Sequence, residues 1–224
     1  MARIPLARQV EEAQLARIIA KELNKQRIAV LKEVSKDIPQ MDELFWEGHR
    51  ESMIAAVIPP LVGIYDRAVG VTVKQEPIGD LASRSIRWSR QYAGELVRGI
   101  TQTTRRAVSA AVATLASTPG MTIRDLRDML ATTFAAPRAQ LIAVTETTRA
   151  IFEGGAEGAA AMPVQRIGIW TTIMDDRVCP ICAPLEGVRE TASKSKQWIS
   201  PDDGQVYRPP AHPNCRCEIV YEFL

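Results

Sequence analysis

The residues best suited to chemistry in this sequence are its cysteines, which gather in one part of the chain. All four cysteines and one of the two histidines lie in residues 179–217, and residues 1–178 contain no cysteine. Thiolates and imidazole nitrogens are the ligands that Zn²⁺ prefers, and a C-x-x-C turn lets two thiolates reach one ion. The pattern therefore predicts a structural zinc site built from two separate groups of donors: Cys179 and Cys182, then His212, Cys215 and Cys217.

Five candidate ligands compete for the four positions of a tetrahedral site. Cys179 and Cys182 form the first pair, and the second pair is either His212 with Cys215 or Cys215 with Cys217. The fifth residue then lies beside the site or is a free thiol. Metal-free thiols or two disulfides are the alternative, but the N-terminal segment lacks the apolar stretch of a secretory signal and thiols stay reduced in the cytosol. The sequence therefore favours zinc.

Enzymatic use of these residues is not expected. A catalytic zinc needs an open position and a nearby general base, whereas the neighbouring acids Asp175, Asp176 and Glu186 fit turn and capping positions. A redox role for the C-x-x-C pair needs a βαβ context that the flanking sequence lacks. An HNH-like nuclease would need more histidines and asparagines than His212 and Asn214. We therefore expect no enzyme activity.

The elements that must position the cluster are predicted to be mostly helical. Apolar residues recur at helical spacing in six segments, with Pro59–Pro60 expected to break or kink the chain and Gly154–Gly158 expected to fray the last helix. At 5% aromatic residues, the composition also favours helix packing over a large β-sandwich. The segments are residues 4–36, 41–58, 61–70, 80–116, 123–131 and 137–160.

The pattern changes from helix to strand after Pro163. Residues 164–173 are rich in β-branched side chains, and residues 218–223 form a second candidate strand that could pair with them. The predicted fold class is α+β, mostly helical, with a small C-terminal β-containing Cys/His module at residues 164–224. We expect a helical, partner-docking N-terminal region over residues 1–75, the remaining domain over residues 76–224, and no membrane span.

Six arginines lie between residues 84 and 106 against one acid, Glu95. This local balance is typical of a surface that faces phosphates, which makes these residues candidates for binding nucleic acid. The alternative is a solvated helix face whose arginines pair with acids elsewhere. The six are Arg84, Arg87, Arg90, Arg98, Arg105 and Arg106.

Residues 85–220 resemble a known family. The run IWTTIMDDRVCPIC at 169–182, followed by LEG and then PPAHPNCRC at 209–217, is similar to the C-terminal signature of the phage head morphogenesis family, the Mu F-like minor head proteins. Upstream, Arg138 and residues 139–147 resemble the R-x-x-x-I-A-x-T-E helix of the same family.

This resemblance implies a structural virion protein, a minor head or minor capsid protein that lies inside the head near the portal vertex after assembly in the host cytoplasm. It implies a role in head assembly or in the handling and delivery of DNA. The implied partners are the portal protein, capsid or scaffold proteins, and phage DNA bound without sequence preference. The alternative is a zinc-stabilised nucleic-acid-binding module that is not tied to the portal. We expect the N-terminal helices to offer an apolar stripe to a partner.

Overall fold

The computed structural model describes residues 6–36, 41–73, 80–173, 178–191 and 196–224. It confirms a mostly helical chain with a few short strands near the C-terminus and a Cys/His cluster among them. The helices are α1 (Leu6–Val34), α2 (Glu43–Val73), α3 (Asp80–Ser117), α4 (Ile123–Leu130) and α5 (Ala136–Ala161). The strands are β1 (Arg166–Thr171), β2 (Trp198–Ile199), β3 (Val206–Tyr207) and β4 (Glu218–Phe223).

Helix α2 continues through Pro59–Pro60, where the sequence predicts a break or kink. Each proline removes one hydrogen bond from the helix. However, Met53, Val57 and Leu61 recur at helical spacing on both sides of the prolines and are fully buried. Continuous packing along this stripe therefore outweighs the missing hydrogen bonds.

Helix α2 is also the one helix of the described residues that is long and apolar enough to cross a membrane, over Glu43–Thr72. Length and composition alone give this result. Helices α1, α3 and α5 all pack against α2. These contacts bury 33% of its apolar stretch.

The apolar stripe of α1 is occupied within the chain. Leu15, Ile19, Leu23 and Val30 are fully buried, and α1 packs against α5 and α2. These side chains belong to one hydrophobic cluster with residues of α2, α3, α4 and α5. The core therefore extends across the predicted boundary at residues 75–76, which itself lies outside the described residues. The stripe that the sequence offers to a partner protein is used for the chain's own core.

The C-terminal strands form two small antiparallel pairs, β1 with β4 and β2 with β3. They enclose a second hydrophobic cluster that includes the fully buried Trp170 and Trp198, whose rings meet edge to face with centroids 6.0 Å apart. The indole of Trp198 donates to the carbonyl of Gly168 at 3.0 Å. A Cβ on Gly168 would lie 2.9 Å from both Trp198 and Ile219, so the close strand packing needs a glycine there.

Helix α5 contacts α2 through glycines that the sequence analysis interpreted as fraying its end. That interpretation is wrong, because α5 remains helical to Ala161. A Cβ on Gly154 would lie 2.4 Å from the carbonyl oxygen of Tyr65, and one on Gly158 would lie 3.0 Å from that of Val69. The glycines therefore allow the two helix backbones to approach each other closely.

Replacing Gly154 with alanine should destabilise the protein by roughly 1–2 kcal/mol, since overpacking costs about 1–3 kcal/mol and the gain in helix propensity offsets part of it. Gly155→Ala is the matched control, because its Cβ would meet Thr72 at an ordinary 3.6 Å. The control should be neutral or stabilised by up to about 1 kcal/mol. Urea unfolding of both variants measures the difference, and equal effects would contradict the close-approach argument.

Candidate metal centre

The pairing of β1 with β4 brings the two groups of candidate ligands together. Thr171 at the end of β1 lies opposite Glu218 at the start of β4. Cys179 and Cys182 follow β1, and residues 212–217 lead directly into β4. Both groups therefore emerge at the same end of the sheet, although they are far apart in the sequence.

The donor atoms of all five candidates meet around Cys182. Two triplets have their donor atoms within 4.8 Å of one another: Cys179, Cys182 and His212, and Cys182, Cys215 and Cys217. The Nε2 of His212 lies 3.0 Å from the sulfur of Cys179 and 3.2 Å from that of Cys182. The Cys182 and Cys215 sulfurs are 3.9 Å apart. The structure thus brings together every ligand that the spacing predicts, in a cavity of about 50 Å³.

The imidazole of His212 is oriented by its own loop. Its Nδ1 lies 2.8 Å from the carbonyl oxygen of Pro213, which can only accept a hydrogen bond. In the neutral ring Nδ1 therefore carries the proton, and Nε2 presents its lone pair to the two sulfurs. A metal-binding histidine is usually held by such a hydrogen bond on its second nitrogen.

The clustered thiols oppose one another's ionisation. Hydrogen bonding from Cys182, and then from Cys217, lowers the pKa of Cys215. The hydrogen bond with Cys215 is the largest of the effects that raise the pKa of Cys182. Ionisation of one thiol therefore opposes ionisation of its neighbour, since a second thiolate would place two negative charges side by side. A bound cation removes this opposition, since it supplies positive charge where the protons were.

The indole of Trp170 is a buried donor next to the cluster. Its Nε1 is buried and has no hydrogen bond of ordinary geometry among the described residues. The largest effect on the pKa of Cys217 is the hydrogen bond with Cys182, which lowers it, and the Trp170 indole lowers it by less. The hydrogen bond with Cys215 and burial raise this pKa, and its resulting value is about 12. The raised pKa favours the neutral thiol of Cys217, whose sulfur is only a weak acceptor for the indole N–H.

Helix α5 supports the second ligand group through two threonines. The backbone N–H of Asn214 donates to the hydroxyl of Thr145 at 2.8 Å, and the hydroxyl of Thr148 donates to the carbonyl of Cys215 at 2.6 Å. Asn214 has a φ of +65°, in the left-handed region that asparagine tolerates better than most residues. This support was not predicted from the sequence. Two threonines three positions apart on one helix face were the available signal.

The remaining residues of the predicted motif helix connect α5 to α3. Arg138 donates to the backbone carbonyls of Ile100 and Thr133. The buried Glu146 accepts a hydrogen bond from Tyr92 at 2.5 Å and pairs with Arg149 at 3.3 Å. Burial is the main cause that raises the pKa of Glu146. These contacts join helices. Among the described residues, neither Arg138 nor Glu146 forms a hydrogen bond with a candidate ligand.

The acids near the cluster have structural contacts where they are described. Glu186 accepts hydrogen bonds from the backbone N–H and the hydroxyl of Thr172, at 2.5 and 2.7 Å. These bonds anchor the segment that follows β1. Asp175 and Asp176 lie outside the described residues.

The six arginines are all exposed on α3, away from the buried face of that helix. Three pair with acids: Arg84 with Asp80 and Glu157, Arg87 with Asp80, and Arg105 with Glu43. Among the described residues, no ion pair involves the other three, which are Arg90, Arg98 and Arg106. Half of the group is therefore paired with acids, and the other half has no acidic partner among the described residues.

Comparison with known proteins identifies the family. The model of the family described as phage Mu protein F like protein matches residues 95–220, which is more than half of the chain. The matched range contains α5 and all five candidate ligands. No curated protein matches the chain, and no solved structure matches it. The chain therefore belongs to the phage Mu protein F like family, which makes it a structural protein of phage head morphogenesis and of the virion.

Proposed function

We propose that this protein is a minor head protein that lies inside the phage head near the portal vertex and acts in head assembly and in DNA handling or delivery. One structural zinc ion holds its C-terminal region together. Its main partner is the portal protein, with capsid or scaffold proteins as further neighbours. The family match over residues 95–220, which includes the converging Cys/His cluster, is the observation that carries this proposal.

The donor geometry supports zinc. Donor atoms of a tetrahedral zinc site lie about 3.5–3.8 Å from one another. The measured separations between His212 and the two sulfurs of the first pair are 3.0 and 3.2 Å, and Cys182 and Cys215 are 3.9 Å apart. Cys215 does not lie within 4.8 Å of both Cys179 and His212. The second ligand group would therefore have to close on the first by roughly 1 Å to complete a tetrahedral site. We propose Cys179, Cys182, His212 and Cys215 as the ligands, with Cys217 as a neighbouring thiol.

Protein purified without chelator should contain about one zinc ion per chain, since a structural site is closed by four protein ligands. Cys182→Ser should lose most of the metal, because Cys182 belongs to both donor triplets. Cys217→Ser is the matched control and should retain it. Elemental mass spectrometry gives the ratios. Metal-free protein whose melting is unchanged by chelator, or two disulfides in the purified protein, would count against the site.

The exposed face of α1 supports a docking role for the N-terminal region. Leu6, Val10 and Ile28 are 76%, 57% and 55% exposed. Val10 and Ile28 are separated by about five helical turns, and Leu6 is one turn from Val10, so the three share one face. This face lies opposite the stripe that is buried in the core. We propose that it contacts the portal protein, because exposed large apolar side chains on one helix face favour a helical or grooved partner.

The double variant Leu6→Glu with Val10→Glu should reduce capture of the co-expressed portal protein at least about tenfold, since burying two such side chains contributes several kcal/mol. Ile199→Glu with Val206→Glu is the control, because these residues form a comparably exposed apolar pair in the β2–β3 hairpin. The control should bind like the wild type. If the Ile199→Glu, Val206→Glu variant loses binding to the portal protein and the α1 variant keeps it, the docking surface lies in the C-terminal module.

Binding of DNA without sequence preference is a second candidate function, either at the portal or independently of it. The exposed arginines of α3 favour it, and in particular the three that have no acidic partner among the described residues. Such arginines are available to neutralise phosphates, whereas the paired ones would first have to leave their carboxylates.

Replacing Arg90, Arg98 and Arg106 with glutamine should reduce the slope of log affinity against log salt on duplex DNA by about 2–3, since each phosphate contact contributes roughly 0.9. The same change at Arg84, Arg87 and Arg105 removes equal charge from the same helix and should have the smaller effect. Fluorescence anisotropy at several salt concentrations measures both slopes. An unchanged slope in the first variant would favour a purely solvated face.

A further inference from the structure

The N-terminal helix reaches the candidate ligand loop through Arg8. Its guanidinium donates to the carbonyl of Arg216 at 3.1 Å, to the carboxylate of Glu218 at 2.5 Å and to the hydroxyl of Thr148 at 2.5 Å. The same Thr148 hydroxyl donates to the carbonyl of Cys215. Two consecutive carbonyls of the loop are therefore held, one by Arg8 directly and the other through Thr148.

The contacts of Arg8 belong to a partly buried group of balanced charges. Glu12 accepts hydrogen bonds from Arg8 at 3.1 Å and from Arg216 at 3.3 Å. The side chains of Arg8 and Glu12 are only 3% and 5% exposed. The group therefore contains two guanidinium groups and two carboxylates, which belong to Arg8, Arg216, Glu12 and Glu218. Such a group adds little stability over apolar packing, but loss of one member leaves a buried charge without a partner. It therefore strongly favours one arrangement of the loop.

We propose that Arg8 is a positioning residue for the metal site, although it lies more than 200 residues away in the sequence. It holds the segment 215–217 in the conformation in which the sulfur of Cys215 faces Cys182. This inference rests on the proposed zinc site. Arg8 connects α1 to the ligand loop, so zinc binding and the packing of α1 against the rest of the chain are linked. Bound zinc stabilises the packed position of α1, and the packed α1 raises the affinity for zinc by the same factor.

The test compares Arg8→Lys with Arg17→Lys. Lysine keeps the charge but lacks the fork that reaches three acceptors. Arg17 is an exposed residue of the same helix and provides the matched control. Competition with a chromogenic chelator should show zinc binding at least about tenfold weaker for Arg8→Lys and unchanged for Arg17→Lys. The visible spectrum of the Co²⁺-loaded protein should change in the first variant alone. Thr148→Val should weaken zinc binding in the same direction with Arg8 intact.

Hydrogen exchange of α1 provides the reciprocal readout. Removal of zinc from the wild-type protein should accelerate exchange in α1, and Arg8→Lys should reduce this difference. The inference is overturned if Arg8→Lys and Thr148→Val both keep wild-type zinc affinity. It is also overturned if Arg8→Lys destabilises the protein equally with and without zinc, because Arg8 then has only a general stabilising role. If the wild-type protein itself binds no zinc, the zinc site fails, and the positioning role fails with it.

Discussion

The close packing of helix α5 against its neighbours is the constraint on which the rest of the structure depends. Two glycines on α5 let its backbone approach the carbonyls of Tyr65 and Val69 on α2. The same helix buries Ala139, Ala143 and Ala150 in the main core. Its threonines bind the loop that carries the second ligand group. A displacement of α5 would therefore disturb both the helical core and the Cys/His cluster, because one rigid element supports both.

The residues of α5 that resemble the family motif have a structural role on this basis. Arg138 binds carbonyls at its start, Thr145 binds the backbone of Asn214, and Glu146 binds Tyr92 of α3. Each of these polar side chains satisfies a group on another element, and unsatisfied buried polar groups are costly. The motif therefore encodes the assembly of α3, α5 and the ligand loop. None of these contacts requires a substrate.

The charged residues divide into two sets with different physical roles. Arg8, Glu12 and Glu146 are buried and fix the positions of the elements that they join. The six arginines of α3 are exposed, where an ion pair contributes little to stability. Only the three-dimensional structure separates these sets, since an arginine on an amphipathic helix has the same appearance in either role.

The sequence by itself determined the periodic helices, the final strand and the identity of the five candidate ligands. These features follow from local spacing and from ligand chemistry, so they need no knowledge of distant contacts. The tertiary structure decided the rest. Helix α2 remains helical through Pro59–Pro60 because its apolar stripe is buried on both sides of the prolines. Gly154 and Gly158, which in the sequence indicated fraying, instead allow α5 to approach α2 closely. Folding also brings Arg8 to the ligand loop, because the packing of α1 against α5 joins residues that lie at opposite ends of the sequence.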